Sequence, residues 1–195
     1  MRSATRRAVP LPADVEILDT SEQSAILAEL SALQQTQNRR WRRRLAAAGL
    51  CLATCLSYAA AAQVQHPWQL VVHAHLYGAL PTSAVVLADA LAALAVLLAS
   101  FALLRSQPEL QRVTDARLKV AGALALLSSA VYALGVGRVF AHADSVASRQ
   151  HAARLLWLPL PPLYAVLCAA AESSLRDTAA QLAALSRVRY DHKTL

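Results

Sequence analysis

Residues Leu45 to Val64 carry no charge, and five arginines stand directly before them (RRWRRRLAAAGLCLATCLSYAAAAQV). An uncharged run of about 20 residues is what an α-helix, rising 1.5 Å per residue, needs to cross roughly 30 Å of hydrocarbon. In that solvent each backbone N–H and C=O must be bonded inside the protein, so a segment of this kind crosses as a helix or not at all. Three more runs have the same length: TSAVVLADALAALAVLLASFALL, VAGALALLSSAVYALGVGRVF and ARLLWLPLPPLYAVLCAAAE. The expected fold is therefore all-α, an integral membrane bundle with four spans over residues 45–64, 82–104, 120–140 and 153–172. Pro159, Pro161 and Pro162 interrupt the fourth run. They allow a kinked span, or a shorter helix from Pro162 entered through an extended segment.

Composition agrees. Hydrophobic residues make up 56% of the 195-residue chain, and mean hydropathy is +0.37. Charged residues are 16%, against roughly 25% in an ordinary soluble domain. The apolar residues come in blocks, mainly of Ala and Leu, rather than dispersed as in a water-soluble core.

The basic residues orient the blocks. Arg39, Arg40, Arg42, Arg43 and Arg44 precede the first span. Arg105, Arg112, Arg117 and Lys119 separate the second from the third, and Arg176, Arg187, Arg189 and Lys193 follow the fourth. With Arg2, Arg6 and Arg7, 16 of the 19 basic residues fall on one side, leaving Arg138, Arg149 and Arg154 on the other. This is the positive-inside asymmetry, which puts both ends in the cytosol, or in the matrix of a mitochondrion. Trp41 and the arginines around it then form an interfacial collar, the indole at headgroup depth and the cations held by anionic lipid. A nucleic-acid grip calls for basic residues spread over a folded face with stacking aromatics, and no nucleic-acid partner is expected. The pI of about 9.9 is a consequence of topology.

Outside the spans, residues 1–19 read as a disordered tail. Residues 20–44 read as a cytosolic amphipathic helix, with a capping-box start near Thr20 and a stripe of Ile26, Leu27, Leu30 and Leu33. It continues into the first span, directly or with a bend near Asn38. Residues 174–195 repeat the pattern with Leu175, Leu182, Leu185 and Val188. Two such helices on one side suit mutual packing as a short coiled coil, contact with the membrane surface, or capture of a partner. The far-side loop, QHPWQLVVHAHLYGALP, is apolar enough to lie at the interface as a short helix or turn. The first span acts as an uncleaved signal anchor, although the Arg-rich opening weakly resembles a mitochondrial presequence.

Few residues carry chemistry. Asp89 lies about two turns inside the second span, where an acid costs about 3 kcal/mol on insertion scales and calls for a partner. Arg138, at the same end of the third span, is the expected partner, with Tyr132, Ser128 or Ser129 as hydroxyl alternatives. Glu172, at the end of the fourth span, is expected to reach water. His66, His73, His75, His142 and His151 share one side with Asp144, but without a metal-ligand spacing. Cys51, Cys55 and Cys168 read as small packing residues inside spans. Ala121, Ala125, Ser129, Ala133 and Gly137 recur every four residues, a ladder that lets helices approach closely, and Ala84, Ala88 and Ala92 repeat it on the second span.

No phosphate-binding, hydrolase or dinucleotide motif is present, and no catalytic residue, metal or cofactor is expected. The layout resembles that of small four-span proteins of the endoplasmic reticulum. The expected role is non-enzymatic: an accessory, scaffold or assembly protein of an endomembrane, the endoplasmic reticulum or nuclear envelope first. Its expected partners are the bilayer and another membrane protein or a second copy. The alternatives are a small transport protein built on Asp89, and a subunit of a lipid enzyme or of a mitochondrial inner-membrane complex.

Overall fold

The computed structural model describes residues 20–74, 76–106, 111–141 and 159–191. Among them the chain is helical, without a strand: α1 (Thr20–Gln65), α2 (Val71–Ala74), α3 (Thr82–Leu104), α4 (Gln111–Ala141) and α5 (Leu160–Asp191). α1 is one unbroken helix of 46 residues, about 69 Å long at 1.5 Å per residue. It contains no proline, and Pro67 ends it by disfavouring helical geometry at the residue before. The helix is not interrupted at Asn38, so the amphipathic half and the spanning half belong to one continuous helix.

Among the described residues three helices are long and apolar enough to cross a membrane: α1, through its second half, α3 and α4. The fourth expected span, 153–172, is not among them, and its first part lies outside the described residues. α5 starts at Leu160 with its first backbone bond from Leu163 N–H to the Pro159 carbonyl at 2.9 Å. Pro161 and Pro162 therefore occupy the first turn, where a missing N–H costs nothing. The apolar part of α5 ends at Glu172, so it covers only about 18 Å of a hydrocarbon layer of roughly 30 Å. Within the described residues the fourth run is helical from Leu160, close to where the alternative of a helix from Pro162 places its start.

α3 is the central helix and packs against α1, α4 and α5. Its inward face is built from alanines at alternating steps of four and three: Ala88, Ala92, Ala95, Ala99 and Ala102, all buried. α1 answers with Ala46, Gly49, Ala53 and Leu56 at steps of three and four. This repeat of 3.5 residues keeps one seam against a neighbour that crosses at a shallow angle. Gly49 sets the approach, because a Cβ there would overlap the Tyr164 hydroxyl and Ser100 Oγ. Large side chains point the other way: Leu50, Leu87, Leu94, Leu126 and Leu134 are exposed on the outer faces. Small inside and large outside is the arrangement lipid selects, since tails solvate leucine as well as a core does and close backbone packing has to hold the helices together.

The expected small-residue ladder on α4 holds only at its start. Ala121 and Ala125 are fully buried, Ser129 is half-buried, and Ala133 and Gly137 are exposed. A strict step of four advances 40° around a helix of 3.6 residues per turn, so the ladder rotates off the interface. The buried line runs instead through Ala121, Ala125, Ser128, Tyr132 and Gly135. At Gly135 an added Cβ would meet Leu80, which folds in from the turn after α2.

Candidate functional site

Two polar clusters interrupt this apolar frame, one at each end. The far end is closed by the segment between α1 and α3. α2 and the turns after it tuck Leu76 and Leu80 against the bundle beside Tyr132, while Trp68 and Tyr77 meet edge to face at 5.6 Å. This is the short helix and turn expected of the loop, but docked inward rather than lying on an interface. It carries His73 to full burial.

His73 completes a chain of four side chains from four helices. Gln63 of α1 accepts the Trp68 backbone N–H at 3.2 Å and faces His73 Nδ1 at 3.1 Å through the same oxygen. A shared amide oxygen can only accept, so the Gln63 contact puts a proton on Nδ1. The other ring nitrogen, Nε2, lies 3.1 Å from Asp89 Oδ2, within ion-pair distance but outside hydrogen-bond alignment. The Tyr132 hydroxyl of α4 donates to Asp89 Oδ1, and the Tyr132 ring stacks on the imidazole. Beside them Ser128 Oγ donates to the Ala88 carbonyl at 2.8 Å. Gln63, His73 and Asp89 are fully buried and Tyr132 is 2% exposed. The cluster thus keeps the acid inside the bundle with its Oδ1 bonded to Tyr132 and its Oδ2 beside the imidazole, away from the apolar surroundings.

The expected pair of Asp89 with Arg138 is not formed. Arg138 is exposed, and its Nη1 reaches the Ala79 carbonyl at 3.3 Å, just ahead of α3. The cause is helical geometry. Arg138 stands six residues beyond Tyr132, hence about 9 Å further along α4 and rotated by about 240°. When Tyr132 faces Asp89, Arg138 cannot. Tyr132 was available to sequence reasoning as an alternative, whereas Gln63 and His73 were not. His73 was grouped with the other far-side histidines, of which His75, His142 and His151 lie outside the described residues, as does Asp144. His66 is exposed. Among the described residues no group of side chains has the makings of a metal site. Cys51 and Cys55 are free and exposed, outside the helix seams, while Cys168 is free and buried.

The second cluster lies at the basic end. Glu172 is 3% exposed, not in water as expected, because the register of α5 brings it opposite α1 and the end of α3. One carboxylate oxygen, Oε1, accepts from Arg42 Nη2 at 3.2 Å, Ser106 Oγ at 2.6 Å and Arg176 Nε at 3.4 Å. Arg176 also donates to Asp115 of α4 at 2.5 Å, and Arg42 to the Ser106 carbonyl at 3.4 Å. The arrangement ties α1, α3, α4 and α5 into one layer. Of the expected collar, Arg42 is thus half-buried and engaged. Arg39, Arg40, Arg43 and Arg44 are exposed, with Arg44 lying 5.8 Å from the centre of the half-exposed Trp41 ring.

Beyond this layer the N-terminal half of α1 and the C-terminal half of α5 project side by side. A groove of about 380 Å³ runs between them, lined by Leu27, Ser31 and Gln34 of α1 and by Ala179, Leu182 and Ser186 of α5. The rest of the apolar stripe is bare: Ile26, Leu30, Leu33 and Leu185 are 45–60% exposed. No family model, curated protein or solved structure matches the chain.

Proposed function

We propose that the chain is a non-enzymatic accessory or assembly protein, anchored by its apolar helices, whose two-helix stalk outside the bilayer holds a helical partner. One observation carries this reading: the bare edge of Ile26, Leu30, Leu33 and Leu185 along paired helices that continue the bundle axis. Because α1 runs unbroken from stripe to span, the stripe is carried away from the bilayer rather than laid on it. Apolar side chains left exposed in water at helical spacing on two adjacent helices suit a third amphipathic helix, whose own apolar face would bury them. That helix belongs to another membrane protein or to a second copy. The bundle below serves as a rigid mount, pinned at both ends by the Asp89 and Glu172 clusters. We place the protein in an endomembrane, the endoplasmic reticulum first.

The test is Leu30→Glu with Leu33→Glu in the full chain, purified in mild detergent from its native membrane. Membrane integration and thermal stability should be unchanged, and a defined co-purifying protein or the self-associated form should be lost. A monomer that never carries a partner, with or without the substitutions, would overturn the reading. The transport alternative rests on Asp89, and the fully buried chain through His73 and Tyr132 favours a fixed fastening over an ion site. Asp89→Asn protein of normal stability that has lost a measurable flux would restore transport.

A further inference from the structure

A second groove, of about 360 Å³, opens between α4 and α5 on the outer face of the bundle. Its walls are apolar: Leu118, Gly122 and Leu126 on α4, Pro162, Ala165 and Val166 on α5. Leu126 and Val166 are among the most exposed apolar residues of the chain, so the groove faces the tails of the surrounding lipid. From Asp115 at its mouth to Leu126 at its inner end it spans 11 residues of α4. That is about 17 Å, close to the depth of one leaflet's hydrocarbon.

The mouth is polar and balanced. Asp115, Lys119, Glu172 and Arg176 line it, two acids and two bases. Arg176 bridges the two acids, and Lys119 stands exposed at the rim. Glu172 is unevenly served. Oε1 takes three donors, while Oε2 is buried with no hydrogen-bond partner among the described residues. A buried carboxylate oxygen without a donor is costly, and it marks a place where a ligand donor would be strongly favoured.

We propose that this groove binds a phospholipid with a primary ammonium headgroup, phosphatidylethanolamine in chemical class, from the leaflet at the basic end. One acyl chain lies along the apolar walls, the phosphate meets Lys119, and an ammonium N–H donates to Glu172 Oε2. The match is one of charge and of donors. A zwitterion leaves the balanced mouth balanced, whereas a net anion would have to lie beside Asp115 and Glu172. A choline headgroup carries the same charges but no N–H, and so leaves Oε2 without a donor. This inference does not depend on the stalk having a partner.

The experiment uses the full chain, delipidated in detergent and offered phosphatidylethanolamine, phosphatidylcholine or phosphatidylglycerol with identical acyl chains. Retained lipid is read by native mass spectrometry. Phosphatidylethanolamine should be retained over phosphatidylcholine by about tenfold, the factor expected for one hydrogen bond to a buried charged group. Gly122→Leu should abolish retention. A Cβ at Gly122 meets nothing within 4 Å, so the larger side chain enters the groove without straining the bundle, and an unchanged melting temperature verifies this. Glu172→Gln should erase the preference for ethanolamine over choline. Should that variant fail to fold, Gly122→Leu still decides. Equal retention of the two zwitterions, undiminished retention by Gly122→Leu, or a preference for phosphatidylglycerol would each overturn the proposal.

Discussion

The pairing of Asp89 can be measured as a coupling. Asp89→Ala removes a carboxylate that is fully buried, and Tyr132→Phe removes the hydroxyl that donates to it while keeping the ring. The cavity and burial costs of each change appear in both legs of a double-mutant cycle and cancel, leaving the interaction. Hydrogen bonds between membrane helices couple by about 0.6 kcal/mol on average and about 1.7 at most, because the unfolded chain finds other partners. A bond to a fully buried carboxyl acceptor, shut off from water that could replace it, belongs at the upper end. The expected coupling is therefore about 1.5 kcal/mol, roughly tenfold in the unfolding equilibrium. The assay is reversible unfolding in mixed micelles, followed by helical signal against increasing denaturing detergent. Asp89→Ala with Arg138→Gln is the internal comparison. Since Arg138 is exposed and reaches the Ala79 carbonyl, those two changes should add to within about 0.5 kcal/mol. Additive losses for Asp89 and Tyr132, or a larger coupling to Arg138 than to Tyr132, would refute the arrangement described for the far end.

Glycines separate close packing from mere composition. Gly49→Ala should cost about 1–3 kcal/mol by forcing Tyr164 and Ser100 apart, whereas Gly137→Ala, with nothing within 4 Å of the added carbon, should be neutral or gain up to about 1 kcal/mol from helix propensity. Thermal melting of the two variants in one detergent reads both signs, and a loss at Gly137 equal to that at Gly49 would contradict the seam. The ion pairs that join Arg42 to Glu172 and Arg176 to Asp115 hold the outer halves of α1 and α5 at the same end of the bundle. Tags fused at the two ends should accordingly share one protease accessibility, and a glycosylation acceptor near Gln69 should report the opposite side. Tags on opposite sides would break the layer of charges through Glu172.

What could be read in advance followed from physics that acts over a whole segment. Twenty uncharged residues need a membrane or a core whatever their neighbours do, so α3 appeared with its bounds, and α1 and α4 with their spanning parts. The failures came where one residue's angle around a helix decided the outcome. The ladder on α4 has the right residues and a plausible spacing, yet a step of four drifts by 40° each time, and only Ala121 and Ala125 stay against α3. Asp89 correctly announced that it needed a partner. The choice between Tyr132 and Arg138 turned on six residues of rotation and rise, which hydropathy does not record. His73 and Gln63 were harder still, because they reach Asp89 only after a loop that looks interfacial folds back to bury Leu76. Glu172 shows the reverse error. A charge at the end of an apolar run was assumed to reach water, but the buried face of α5 carries this acid between Arg42, Ser106 and Arg176.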